Sequence, residues 1–90
     1  MLSISDEASA LLLLLTLNAG MAGKSGLRID TVGRYNSLRM ALAQGPERED
    51  ATVHGSCGAA VFLSPEADQR LRRQTLQASR AGRRPAFYLT

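Results

Sequence analysis

Cysteine is almost absent from this chain: Cys57 is the only one. That excludes an internal disulfide framework and any zinc site built from four cysteines of one chain, and it suits a reducing cytoplasm. Histidine is equally scarce. With His54 alone, neither a multi-histidine metal centre nor a Ser-His-Asp triad with a spare imidazole is well equipped. Tryptophan is missing, and two tyrosines and two phenylalanines make a thin stacking platform for single-stranded nucleic acid. No apolar run approaches the roughly 20 residues that span a bilayer. The longest, Ala10–Leu15, follows Asp6 and Glu7, whereas a signal peptide begins with positive charge. It reads as part of a folded helix. Gly23-Lys24-Ser25 superficially resembles a phosphate loop, but Gly26 and a strand pattern follow it where a helix should open.

Ninety residues are enough for one modest core, so residues 1–90 are read as a single domain. The net charge of +3 is unevenly distributed. Residues 1–68 carry five cations against eight acids, a balance of −3; residues 69–90 carry six arginines and no acid. Arg80, Arg83 and Arg84 beside Phe87 and Tyr88 form the candidate anion-binding group. A solvated basic face is the more economical account, because basic surfaces often serve only solubility.

Periodicity places the elements. Ser5 is a good N-cap, and Asp6 and Glu7 occupy the first turn, where the helix dipole favours anions. Ala8, Leu11, Leu12, Leu15 and Ala19 follow helical spacing, and Gly20 is a natural stop. Leu13, Leu14 and Leu17 are expected on the opposite side, where a surface helix should be polar. Leu27–Thr31 and Ser37–Leu42 alternate as half-buried strands around a Gly33–Asn36 turn. Thr52–His54 is a short strand. Ala59–Leu63 is apolar throughout, as in a strand covered on both faces. Ser64-Pro65-Glu66 is a strong helix start. Residues 66–81 fit either a short helix followed by a Thr75–Ala78 strand or one longer helix. Ala86–Leu89 closes the chain as a strand after a turn at Ala81–Arg84. The order α-β-β-β-β-α-β-β implies an α+β domain. Its strands should be mostly antiparallel, pairing across short loops, with the leucine-rich helix and one short helix as cover.

This order resembles the A-type iron-sulfur carriers, the HesB/IscA-like family. The matching features are Met1–Ser5 before the first helix, Gly26–Ile29 at the first strand and Pro46–Asp50 before the third. The Val61-Phe62-Leu63-Ser64-Pro65 junction and a closing Phe87 match as well. The resemblance covers nearly the whole chain and implies a compact HesB/IscA-like domain. It also implies a non-enzymatic, accessory role beside iron-sulfur cluster assembly and a possible protein partner in iron-sulfur metabolism. The family holds iron or a cluster with one cysteine between the first two strands and a Cys-Gly-Cys pair in a C-terminal tail. Here the first position falls within Val32–Ser37, which has no cysteine, and Thr90 ends the sequence before such a tail. No ligand carries over, so the resemblance points to a cysteine-poor, accessory or degenerate member.

Two groups of residues remain as site candidates. His54 and Cys57, three apart, can form half of a metal site or a thiolate–imidazole pair, and a dimer would supply the other half. Iron or a cluster is therefore expected only if ligands are shared across a dimer. Leu13, Leu14 and Leu17 are the candidate interface, because the helix carries more apolar residues than one face requires. The reading is a cytoplasmic, non-enzymatic homo-oligomer with no specific nucleic-acid or membrane partner. The alternative is a basic module that binds nucleic acid or another polyanion.

Overall fold

The computed structural model describes residues 1–21, 23–79 and 84–90. Strand β1 (Ser3–Ile4) leads into helix α1 (Asp6–Asn18). Strands β2 (Gly26–Val32), β3 (Ser37–Ala43) and β4 (Ala51–His54) follow, then a 3-10 turn at Ser56–Gly58 and β5 (Ala60–Leu63). Helix α2 (Pro65–Arg70), β6 (Thr75–Ser79) and β7 (Ala86–Leu89) complete the chain. Residues 66–81 are thus a short helix followed by a strand as far as they are described. Arg80 and Arg83, and most of the turn expected at Ala81–Arg84, lie outside the described residues.

Both helix starts are set by local chemistry. Ser5 Oγ accepts from the Ala8 N–H at 3.0 Å, and Ser64 Oγ accepts from the Ala67 N–H at 3.3 Å with Pro65 in the first turn. Each cap satisfies an amide that the helix cannot. Gly20 then ends α1 with φ +66°, a left-handed value that costs glycine nothing.

The strands form two sheets, ordered β1-β6-β7 and β3-β2-β5-β4. β2–β3, β4–β5 and β6–β7 are antiparallel, as short connections dictate. The expectation fails at β3 and β4, which occupy opposite edges of the larger sheet. The seven residues 44–50 are long enough to carry the chain from one edge to the other. β2 and β5 instead meet in parallel, with Leu27 opposite Val61 and Ile29 opposite Leu63. β1 was not visible in the sequence, because two residues show no period. It is made by partners: Ser3 N–H and Ser5 N–H donate to the carbonyls of Gln74 and Leu76, both at 3.0 Å.

Alternation along the strands divides the larger sheet into two faces. Leu27 and Ile29 of β2, Val61 and Leu63 of β5 and Val53 of β4 pack with Ala8 and Leu12 of α1, Ala67 of α2 and Leu71 just after it. The opposite face carries Arg28, Asp30, Arg39, Thr52 and His54, with Phe62 among them. Phe62 is nonetheless only 3% exposed, so β5 is covered on both faces, as its unbroken apolar run requires.

Gly26 makes that packing possible. A Cβ there would stand 2.3 Å from the Ala60 carbonyl oxygen and 3.1 Å from the Phe62 ring. Backbone cannot yield as a flexible side-chain end can, so Gly26→Ala is expected to destabilise the fold by about 2 kcal/mol, as overpacking does. Gly45→Ala, where a Cβ meets nothing within 4 Å, should be neutral or slightly stabilising. Urea unfolding of both variants measures the contrast.

Candidate functional site

Helix α1 is the first candidate surface. Ala8, Ser9, Leu11, Leu12 and Thr16 are buried, a broad arc facing the sheets. Leu14 and Leu17 lie opposite it, 44% and 75% exposed. Leu13 differs from the expectation that it faces outward: it is half-buried against the core. The physical reason is helical geometry, since Leu13 lies one turn from both Ser9 and Thr16 and so borders the buried arc. The exposed apolar stripe is therefore Leu14 and Leu17, with Leu13 at its margin.

The β4–β5 hairpin is fastened to the start of α1. Ser56 N–H donates to Ser9 Oγ at 3.0 Å, and Ser56 Oγ–H donates to Asp6 at 2.6 Å. Gly55 permits the contact, because a Cβ there would fall 2.3 Å from Ser9 Oγ. Cys57, exposed and at φ +56°, is thereby held at the hairpin tip. It lines a shallow cleft with Asp6, Ala10 and Leu13, directly beside the leucine stripe.

His54 does not share that cleft. It lines a different one, of about 280 Å³, with Lys24, Thr52, Pro46, Ala60 and Phe62. The sequence spacing suggested a His–Cys pair, but His54 ends a strand on the outer sheet face while Cys57 sits on a turn packed against α1. Among the described residues, no three His, Cys, Asp or Glu side chains group as a metal site requires. A single cysteine is fewer than the several thiolates that usually hold an iron-sulfur cluster. The β2–β3 turn carries Tyr35 on its surface, 87% exposed. Arg70 donates to the Asn36 carbonyl at the end of the same turn. Arg70, Arg72, Arg73 and Arg84 are exposed; Arg84 is the described member of the candidate anion-binding group.

A charge network on the outer sheet face is the feature that sequence reading missed. By local pattern alone, Glu47, Glu49 and Asp50 are acids of a solvated loop. In fact the Asp50 side chain is 1% exposed. Arg28 donates to it through Nε at 2.8 Å and Nη2 at 3.0 Å, and Glu47 N–H donates to it at 2.9 Å. Arg28 also reaches Asp30 at 2.7 Å and Glu47 at 2.8 Å. Arg39 grips Asp30 with two hydrogen bonds, of 2.7 and 3.1 Å. The Arg28 hydrogen bonds hold the Asp50 carboxyl below its ordinary range despite burial. Arg39, then Arg28, do the same for Asp30. Arg28 in turn holds its proton more tightly than a free guanidinium. The available signal was the i, i+2 placement of Arg28 and Asp30 on one strand face. Nothing local pointed to Asp50, 22 residues from Arg28.

The fold has close counterparts among solved structures. Escherichia coli SufA, involved in biosynthesis of iron-sulfur clusters, superposes with a TM-score of 0.80 at 18% identity, over 99% of this chain and 83% of that one. IscA with the [2Fe-2S] cluster superposes with a TM-score of 0.70 at 19% identity, over 100% of this chain and 84% of that one. The HesB/IscA-like fold expected from the sequence is therefore correct. No protein-family model and no curated protein matches the sequence.

Arg28→Met is expected to cost about 2 kcal/mol at neutral pH. It leaves the buried Asp50 carboxylate without its cation, whereas the exposed Glu47 pair adds little. Asp50 and Asp30 are depressed in the folded state, so their contribution is present above the ordinary carboxylate value of 3.8. It is lost as pH falls through the lower folded value. The gap between wild type and Arg28→Met should accordingly narrow on acidification, as read from urea midpoints at pH 7 and below pH 3.8.

Proposed function

We propose that this chain is a non-enzymatic HesB/IscA-like domain that works through protein contacts. In this reading it is an accessory or degenerate relative of the carriers rather than a cluster carrier itself. The observation that carries the proposal is the Leu14/Leu17 stripe, exposed on a helix whose other side is already core. Leucines in water forgo roughly 1.5–3 kcal/mol each relative to full burial. Contiguous apolar surface of this kind marks contact sites on soluble domains. A second copy of the chain is the simplest occupant, because a two-fold arrangement sets the same stripe against itself and closes. The likeness to SufA and IscA supports placing the role near iron-sulfur cluster biosynthesis, and a protein partner from that chemistry would use the same stripe. Neither likeness supplies a ligand set. The exposed Cys57 would serve as a cluster ligand only with a thiolate brought by another subunit.

Light scattering at tens of micromolar should report a dimer for wild type and a folded monomer for Leu14→Glu. A monomeric wild type, or a Leu14→Glu variant that unfolds, rejects the self-associating stripe.

Anaerobic reconstitution with iron and sulfide should leave the protein colourless. A stoichiometric cluster that disappears in Cys57→Ser would replace the accessory reading with ligation across subunits.

A further inference from the structure

The cleft containing His54 stands apart from the leucine stripe, and no role assigned so far uses it. Its apolar lining comes from Pro46 and from the small accessible parts of Ala60 and Phe62, which are otherwise buried. Its rim is polar and comes from separate parts of the chain. Lys24 arrives on the loop before β2, and Thr52 and His54 arrive from β4 at positions two apart, hence on one face. None of these three side chains is engaged in a hydrogen bond or ion pair among the described residues. The contrast with the adjoining network decides the charge of the cleft. No acid lines the cleft among the described residues; on the loop that carries Pro46, Glu47 and Asp50 are both taken up by Arg28 at 2.8 Å, and Asp30 is taken up by Arg28 and Arg39. The Lys24 ammonium is thus left without a carboxylate, beside a hydroxyl and an imidazole that can both donate.

We propose that this cleft binds a small organic oxyanion, a phosphate or carboxylate head carried on a flat apolar body. The head is held at the rim by the Lys24 ammonium with hydrogen bonds from Thr52 and His54. The body lies against Pro46 and the accessible parts of Ala60 and Phe62. A few polar groups converging over an apolar lining are the usual composition of a small-molecule site. A charge-assisted contact supplies orientation that the apolar lining cannot. The cleft, of about 280 Å³, is small and open, and suits a single aromatic ring with its head group.

The test is an amide-resolved NMR titration of the full chain with phenyl phosphate and with benzoate, using benzyl alcohol as the neutral control. Saturable shifts confined to Lys24, Thr52, His54 and Ala60 with both anions, and weaker binding of benzyl alcohol, are the expected result. Lys24→Ala should weaken phenyl phosphate about tenfold through loss of a charged hydrogen bond, and Thr52→Val should weaken it less. Because Lys24 is an exposed loop residue, its variant should leave the remaining amide spectrum unchanged. Shifts spread over Arg70, Arg72, Arg73 and Arg84 without saturation would mean diffuse attraction to the basic segment and overturn the proposal. Benzyl alcohol binding as tightly as the anions, or phenyl phosphate indifferent to Lys24→Ala, would overturn it equally. A monomeric wild type in the scattering experiment leaves this site unaffected, since no residue of the stripe lines it.

Discussion

The parallel pairing of β2 with β5 is the constraint on which the rest of this structure depends. It joins two segments separated by more than thirty residues and places them at the centre of the four-stranded sheet. Each central strand then takes its hairpin partner on the outside, so β3 and β4 become edges. The chain between them must cross the sheet, and residues 44–50 do so. That crossing sets Pro46 beside Phe62 and brings Asp50 to Arg28. The close approach at Gly26 and Ala60 belongs to the same pairing. The buried phenylalanine, the charge network and the cleft beside it all follow from one register.

The charges on the outer face settle what that surface can do. Arg28 is surrounded by three carboxylates and shares one of them with Arg39. Such a cluster is self-satisfied and holds the crossing loop in place. It also engages the local acids away from the neighbouring cleft, where Lys24 has no ion-pair partner among the described residues. On the other side of the molecule, Ser9, Asp6 and Gly55 fasten the β4–β5 hairpin to α1. That attachment places Cys57 in a different cleft from His54, beside Leu13 at the margin of the leucine stripe. Two residues three apart in sequence therefore belong to different surfaces.

The sequence by itself determined the elements and most of their ends, because these depend on local chemistry. Ser5 and Ser64 cap helices wherever the helices are packed. Alternation at Leu27–Thr31 and Ser37–Leu42 is a strand period, and the unbroken run Ala59–Leu63 announced a strand covered twice. The order of these elements was enough to identify a HesB/IscA-like fold. Only the tertiary structure decided which strands meet, because hydrogen bonding between distant strands leaves no periodic trace in either one. It alone created β1, whose two residues are a strand only through their partners on β6. It converted Asp50 from a loop acid into a buried anion, since burial there depends on a loop crossing and not on neighbours in sequence. It also drew the border of the leucine stripe between Leu13 and Leu14, because helical angle fixes direction but only packing fixes how wide the covered arc is.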